Sequence, residues 1–188
     1  MIPPKTPSRV TVVVDTREKT PLLFPNYFWH YSYVGQRPRK IGITAVKKAL
    51  PEGDYLLKDW ELDDGKHPAI VERKGSWGEI HQNLLTQDRE RAAKAFRRLC
   101  EATDHPYLLI EERFSACWKA KDHIPNPEMV MDRLMNEVAA RNLRLIWLPG
   151  LNTVKIRRRA GEAVVRILLA HAMKEHSAPE FVGKDEES

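Results

Sequence analysis

Pro51-Glu52-Gly53-Asp54-Tyr55-Leu56-Leu57, then Ile70-Val71-Glu72-Arg73-Lys74 after an interval (58–68) rich in Asp, Gly and Pro, is the stretch on which the fold of this chain turns. Both apolar pieces read as strands, and the interval as the turn that joins them into a hairpin. Asp54 and Glu72 then meet across it. Alternate residues of a strand share a face, so Glu72 and Lys74 point one way and Arg73 the other. Two carboxylates and an ammonium at one site suit metal-assisted phosphodiester hydrolysis. Carboxylate oxygens hold Mg²⁺ together with several of its waters, and the ion polarises phosphate and acidifies water. Lys74 can orient the nucleophile or stabilise charge on the phosphoryl oxygens. The plainer reading of so short a motif is a surface hairpin carrying a solvated ion pair.

Working outward, Val10-Thr11-Val12-Val13-Val14-Asp15 is a β-branched run that ends in a carboxylate, as a buried strand delivering an acid to a sheet edge would. Asp15-Thr16-Arg17-Glu18, Gly53-Asp54 and Glu72-Arg73-Lys74, in this order and in these strand contexts, resemble the DxRE, GD and ERK elements of the XPF-type structure-specific endonucleases. These are a branch of the PD-(D/E)xK nuclease superfamily, and the resemblance runs from about Ser8 to about His176. It implies an α/β fold with a restriction-endonuclease-like mixed sheet flanked by helices. It also implies a Mg²⁺ or Mn²⁺ cofactor and cleavage of branched, flap or junction DNA. On the same resemblance Asp15, Asp54 and Glu72 become metal-site acids and Lys74 the catalytic lysine, with Arg17, Glu18 and Arg73 as supporting site residues. The chain departs from the family's ERKxxxD pattern at Gly78, where the acid belongs; the nearest acid is Glu79. One residue of helix is about 100° of rotation, so Glu79 is not expected to stand in for residue 78, and Mn²⁺ is expected to support activity better than Mg²⁺.

A chain of 188 residues fits one domain with a proper core. That domain is expected over 9–176, between a flexible N-terminal arm (1–8) and a polar C-terminal tail (177–188). Lys and Arg number 31 against 26 Asp and Glu, a formal +5 that permits nucleic-acid binding without demanding it. Cys100 and Cys117 have no Cys or His partner at zinc-ligand spacing, which points to a reduced, intracellular and cytoplasmic setting. No apolar run has the length of a signal peptide or a membrane span. With no room for an appended helix-hairpin-helix or helicase module, the chain is expected to be a free-standing nuclease of bacterial or phage type.

Tyr27 to Val34 alternates as a second strand with Trp29, Tyr31 and Tyr33 on one face, expected to pack into the core; stacking on bases is the alternative use. Arg37, Arg39 and Lys40 form a basic turn, expected at a hairpin tip near the site, where it would clamp a phosphate backbone. A strand over 41–48 follows. From Ser76 to Cys100 the period is helical, with Asp88 a candidate N-cap for a second segment. Trp77, Ile80, Leu84, Ala92, Ala95, Phe96 and Leu99 face the sheet. Gln87, Arg91, Lys94 and Arg98 make a stripe that either lies along DNA phosphates or is simply solvated, and Arg89 resembles an arginine at a similar offset in the family. Tyr107 to Glu111 reads as a strand covered on both faces. A helix over 127–141, capped by Asn126, sets Met131, Leu134, Met135 and Val138 inward, and a strand over 143–148 comes next.

In the last helix, about 152–176, Val164, Val165, Ile167, Leu168 and Leu169 cover more than half the circumference, so it is wholly buried or it meets a partner chain. XPF-type domains pair through this region, which implies a homodimer or heterodimer through the C-terminal helix. Lys155, Arg157, Arg158 and Arg159 gather at its N-terminal end, where the helix dipole disfavours cations and DNA is an expected counter-charge. The features together favour a metal-dependent structure-specific DNA endonuclease. A non-catalytic DNA-binding or scaffolding subunit of the same fold, suggested only by Gly78, is one alternative. A sequence-specific endonuclease, for which no base-reading segment is visible, is the other.

Overall fold

The structure, a computed structural model, describes residues 6–31, 37–121, 124–150 and 153–175. The expected tail, most of the expected arm, and Tyr33 and Val34 lie outside the described residues. The elements in chain order are β1 (Arg9–Asp15), β2 (Tyr27–His30), β3 (Arg39–Lys48), β4 (Tyr55–Leu57), β5 (Ile70–Lys74), α1 (Trp77–Leu85), α2 (Arg89–Ala102), β6 (Pro106–Glu111), α3 (Pro127–Arg141), β7 (Arg144–Leu148) and α4 (Val154–Glu175). The strands form one mixed sheet in the order β2-β3-β1-β4-β5-β6-β7. β1 runs parallel to β3 and antiparallel to β4, the β4–β5 pair is antiparallel, and β5, β6 and β7 are mutually parallel. The α/β mixed sheet flanked by helices is as the residue pattern implied.

Alternation along the strands divides the core in two. Val10, Val12 and Val14 of β1, Val71 of β5 and Leu109 of β6 pack with Val164, Val165, Leu168, Leu169 and Ala172 of α4. Val13, Ile70, Leu108 and Ile110 point to the opposite face and pack with Trp77, Ile80, Leu84, Phe96, Leu99, Val130, Met131 and Leu134 of α1, α2 and α3. Consecutive residues of β6 thus feed both cores, which is why its apolar run does not alternate. The broad apolar arc of α4 is filled by its own chain: Val165 is 0% and Leu168 1% exposed. Val164, Val165, Leu168 and Leu169 of that arc are thus covered without a partner chain, while Ile167 stays half-buried.

Three local expectations are corrected. Phe28, not the Trp29 face, enters the core; Trp29 is 48% and Tyr31 68% exposed. In α3 it is Val130 that is buried, while Met135 is exposed. Asp88 precedes α2 but makes no capping bond; its carboxylate pairs instead with Arg91 at 3.2 Å. Asn126 caps α3 as read, its Oδ1 accepting from the Met129 N–H at 3.0 Å, and Ser76, which was not read as a cap, accepts from the Glu79 N–H at 3.1 Å.

Two features of α4 docking are open to measurement. A β-carbon on Gly161 would collide with the Leu23 carbonyl. Gly161→Ala gains about 1 kcal/mol of helix propensity but costs about 1–3 kcal/mol of overpacking, so urea denaturation should show no gain or a net loss of stability. Near its C-terminal end, His171 Nε2 accepts from the Tyr107 hydroxyl at 2.8 Å and Arg144 at 3.2 Å, its ring stacked 3.9 Å from that of His105. Burial, then the charges of His105 and Arg144, push His171 down to about 4. The unfolded chain therefore takes up the proton first, and stability should fall as pH drops from 6.5 to about 4 and level off below. Thermal melts of the His171→Gln variant should show a flatter pH dependence over that window.

Candidate active site

The C-terminal ends of β1 and β5 and the start of β4 lie side by side because β4 is antiparallel to both neighbours. Backbone bonds from Asp15 N–H to the Asp54 carbonyl and from Asp54 N–H to the Val71 carbonyl, both 2.9 Å, lock the three ends together. Gly53 makes the entry to β4 possible. Its φ is +71°, and a β-carbon there would collide with Ile70. The result is a cleft of about 480 Å³ whose walls include all seven residues expected at the site: Asp15, Arg17, Glu18, Asp54, Glu72, Arg73 and Lys74.

Their roles differ. Asp54 Oδ2 accepts the Arg73 backbone N–H at 2.7 Å. Burial, then the charge of Glu72, pushes the Asp54 carboxyl up to about 7. Lys74 Nζ, 8% exposed, donates to Glu72 at 2.7 Å and lies 3.3 Å from Glu79. Burial opposes its charge, yet those two carboxylates hold its pKa above the ordinary value. Arg73 points to the other face, as alternation requires, with its guanidinium between Glu18 (2.9 Å) and Glu111. All three side chains of this triad are 10% exposed or less.

Asp15 is bound internally. Its Oδ1 accepts the Arg17 N–H at 3.0 Å and its Oδ2 the Arg17 Nε at 2.7 Å, while Arg17 also donates to the Leu50 carbonyl. Burial would raise the Asp15 carboxyl, but the bonds from Arg17 outweigh it and hold it below its usual value. Among the described residues no three His, Cys, Asp or Glu side chains are grouped to hold a metal. Of the three expected metal-site acids, Asp54 and Glu72 are neighbours in the cleft, and Asp15, which lines the same cleft, is bonded to Arg17. The Asp54–Glu72 pair fits Mg²⁺ or Mn²⁺: such ions bind through one or two carboxylates while keeping waters, and a cation would offset the burial and the Glu72 charge that push the Asp54 carboxyl up.

Glu79 also stands at the cleft. Helix α1 begins at Trp77, so Glu79 lies in its first turn, and its carboxylate accepts the Gly75 N–H at 3.0 Å while facing Lys74. A carboxylate one residue beyond Gly78 thus faces Lys74 at the cleft. Glu111 was missed entirely. It ends an apolar strand just as Asp15 does, which was the available signal.

The basic residues divide. Arg98 reaches the cleft, paired with Glu52 at 2.7 Å, and Lys94 and Arg91 continue from it along exposed α2. Arg89 lies instead by Arg133 and Glu137, between α2 and α3. Arg157 donates to the Pro21 carbonyl, whereas Lys155, Arg158 and Arg159 border a cleft of about 880 Å³ between β2 and α4. That cleft is larger, but among the described residues lining it Glu162 is the only carboxylate, so the smaller cleft, with its several acids and Lys74, is the better candidate for hydrolytic chemistry. Arg37, Arg39 and Lys40 are exposed but not near the site. β3 runs parallel to β1, so its start lies beside the start of β1 while Asp15 pairs with Lys48 at the far end.

Comparison with known proteins follows the geometry. Two solved structures resemble the fold, both of XPF from Aeropyrum pernix. One matches with TM-score 0.53 and 20% identity over 84% of this chain and 60% of its own. The other, in complex with DNA, matches with TM-score 0.54 and 20% identity over 86% of this chain and 66% of its own. This chain therefore spans less than two thirds of either. No curated protein matches it. The ERCC4 domain model matches residues 14–154, from the strand that carries Asp15 to the start of α4, and the chain belongs to the ERCC4 domain family.

Proposed function

We propose that this chain is a Mg²⁺- or Mn²⁺-dependent endonuclease that hydrolyses phosphodiester bonds in branched, flap or junction DNA. The observation that carries the reading is the Glu72–Lys74 contact of 2.7 Å beside a half-buried Asp54, in an open cleft. A divalent ion held by Asp54 and Glu72 would polarise the phosphate and acidify a water. Lys74 then has one task, since Glu72 and Glu79 keep it charged and fixed: it faces the water and the phosphoryl oxygens, where negative charge builds as the leaving oxygen departs. Arg73, held between Glu18 and Glu111, presents its backbone N–H to Asp54 and so orients that carboxylate. Arg98, Lys94 and Arg91 are placed to meet phosphates leading out of the cleft. The XPF neighbour in complex with DNA and the family membership agree with a DNA substrate.

Two sets of variants test this. On a panel of duplex, flap, fork and four-way DNA with Mg²⁺ or Mn²⁺, Glu72→Gln and Lys74→Ala should each lose at least about 100-fold in cleavage rate while still binding DNA. Equal loss of binding in both would contradict the assignment. For the Gly78 departure, Glu79→Ala should lower cleavage by roughly tenfold or more, and Gly78→Asp should not improve activity in Mg²⁺. A Gly78→Asp enzyme that is clearly faster in Mg²⁺, with Glu79→Ala unaffected, would restore the missing-acid reading.

A further inference from the structure

From Lys19 to Pro51 the chain contains no Asp or Glu, yet it carries Lys19, Arg37, Arg39, Lys40, Lys47 and Lys48. This acid-free stretch builds β2 and β3, the edge of the sheet. Phe28 and Ile41 are paired across these strands and both face the α4 core. Their neighbours Tyr27, Trp29, Lys40 and Gly42 therefore face the other way. Tyr27 is 45% and Trp29 48% exposed there, whereas α1, α2 and α3 pack over the sheet from the far end of β1 toward β7.

The uncovered face is ordered by its own contacts. The two rings meet edge to face at 6.4 Å, and Lys40 Nζ sits 4.1 Å above the Tyr27 ring. Gly42, opposite both Tyr27 and Arg9, leaves a floor across which the Arg9 side chain lies. On the reverse side Arg166 of α4 donates to the Trp29 carbonyl at 3.0 Å, which fixes the strand that carries the rings.

We propose that this sheet face, with Tyr27 and Trp29 as the stacking surface and Arg9 and Lys40 as phosphate contacts, binds an unpaired DNA strand. Aromatic rings exposed on a strand beside cations take bases on their π-faces without regard to sequence. A stretch without a single carboxylate is complementary to a polyanion and much less so to an ordinary protein surface, which carries both signs. Tyr27 pairs with Gly42, six residues of β3 before Lys48, the partner of Asp15. At about 3.3 Å per residue the platform is roughly 20 Å along the strand from the cleft, or about six steps of a DNA strand at 3.4 Å each. It is a second site, and its existence does not rest on cleavage.

The test is fluorescence anisotropy on the full chain without divalent ions, with a labelled oligothymidine of about 15 nucleotides and a duplex of equal length as probes. The paired change Tyr27→Ala, Trp29→Ala should weaken oligothymidine binding by roughly tenfold or more, with duplex binding nearly unchanged. Trp29→Phe alone, which keeps a stacking ring at each position, should retain most of the wild-type affinity. Lys40→Gln should reduce the salt dependence of binding by about one ion. Oligothymidine binding equal to wild type in the paired variant would overturn the platform, as would equal loss for single strand and duplex. Since no cleavage is measured, either result leaves the nuclease reading to stand or fall by Glu72 and Lys74.

Discussion

The buried ion triad of Glu18, Arg73 and Glu111 is the interaction on which the rest of the site depends. It ties the turn after β1, the middle of β5 and the end of β6 to one guanidinium. A buried pair adds little net stability over a well-packed apolar replacement, but leaving one of its members unpartnered is expensive, about 3–5 kcal/mol. The triad is therefore best understood as a device for position. It fixes the backbone of Arg73, whose N–H orients Asp54, and so fixes the neighbours Glu72 and Lys74 on the opposite face of the same strand.

That arrangement separates structural from chemical charge by strand alternation alone. Arg73 turns toward the α4 side and is fully engaged by carboxylates, while Glu72 and Lys74 turn toward the cleft. On the cleft side the charges are left in tension: half-buried Asp54 lies beside Glu72, and Lys74 is shared between Glu72 and Glu79. Asp15, the acid most prominent in the chain's opening strand, lines the same cleft and is bonded through both its oxygens to Arg17.

Much of this was legible in the residues. Motif order brought Asp54, Glu72 and Lys74 together, and the period changes located α1, α2, α3 and the strands. What the pattern could not carry was direction and occupancy. Whether Arg37, Arg39 and Lys40 lie near Asp15 depends on β3 running parallel to β1, which no local signal announces. Alternation says that Trp29 and Tyr31 share a face but not which face is covered, and here helices cover only part of the sheet. The apolar arc of α4 likewise could not distinguish its own sheet from a partner's surface, because both offer the same apolar contact. Glu111 joined the site only once β6 was known to lie beside β5.

The parallel pairing of β5 with β6 also has a bearing on synthesis. Residues 72 to 74 leave the ribosome well before residue 111, and in the interval Arg73 has Glu18 as its one triad partner from upstream. The crossover through α1 and α2 must be complete before β6 can dock, and such non-local pairing is slow compared with local helix formation. A nascent chain bearing every motif residue thus lacks the Glu111 contact that completes the Arg73 triad until the sixth strand is in place, so the geometry of the candidate site matures late, well after its side chains have been made.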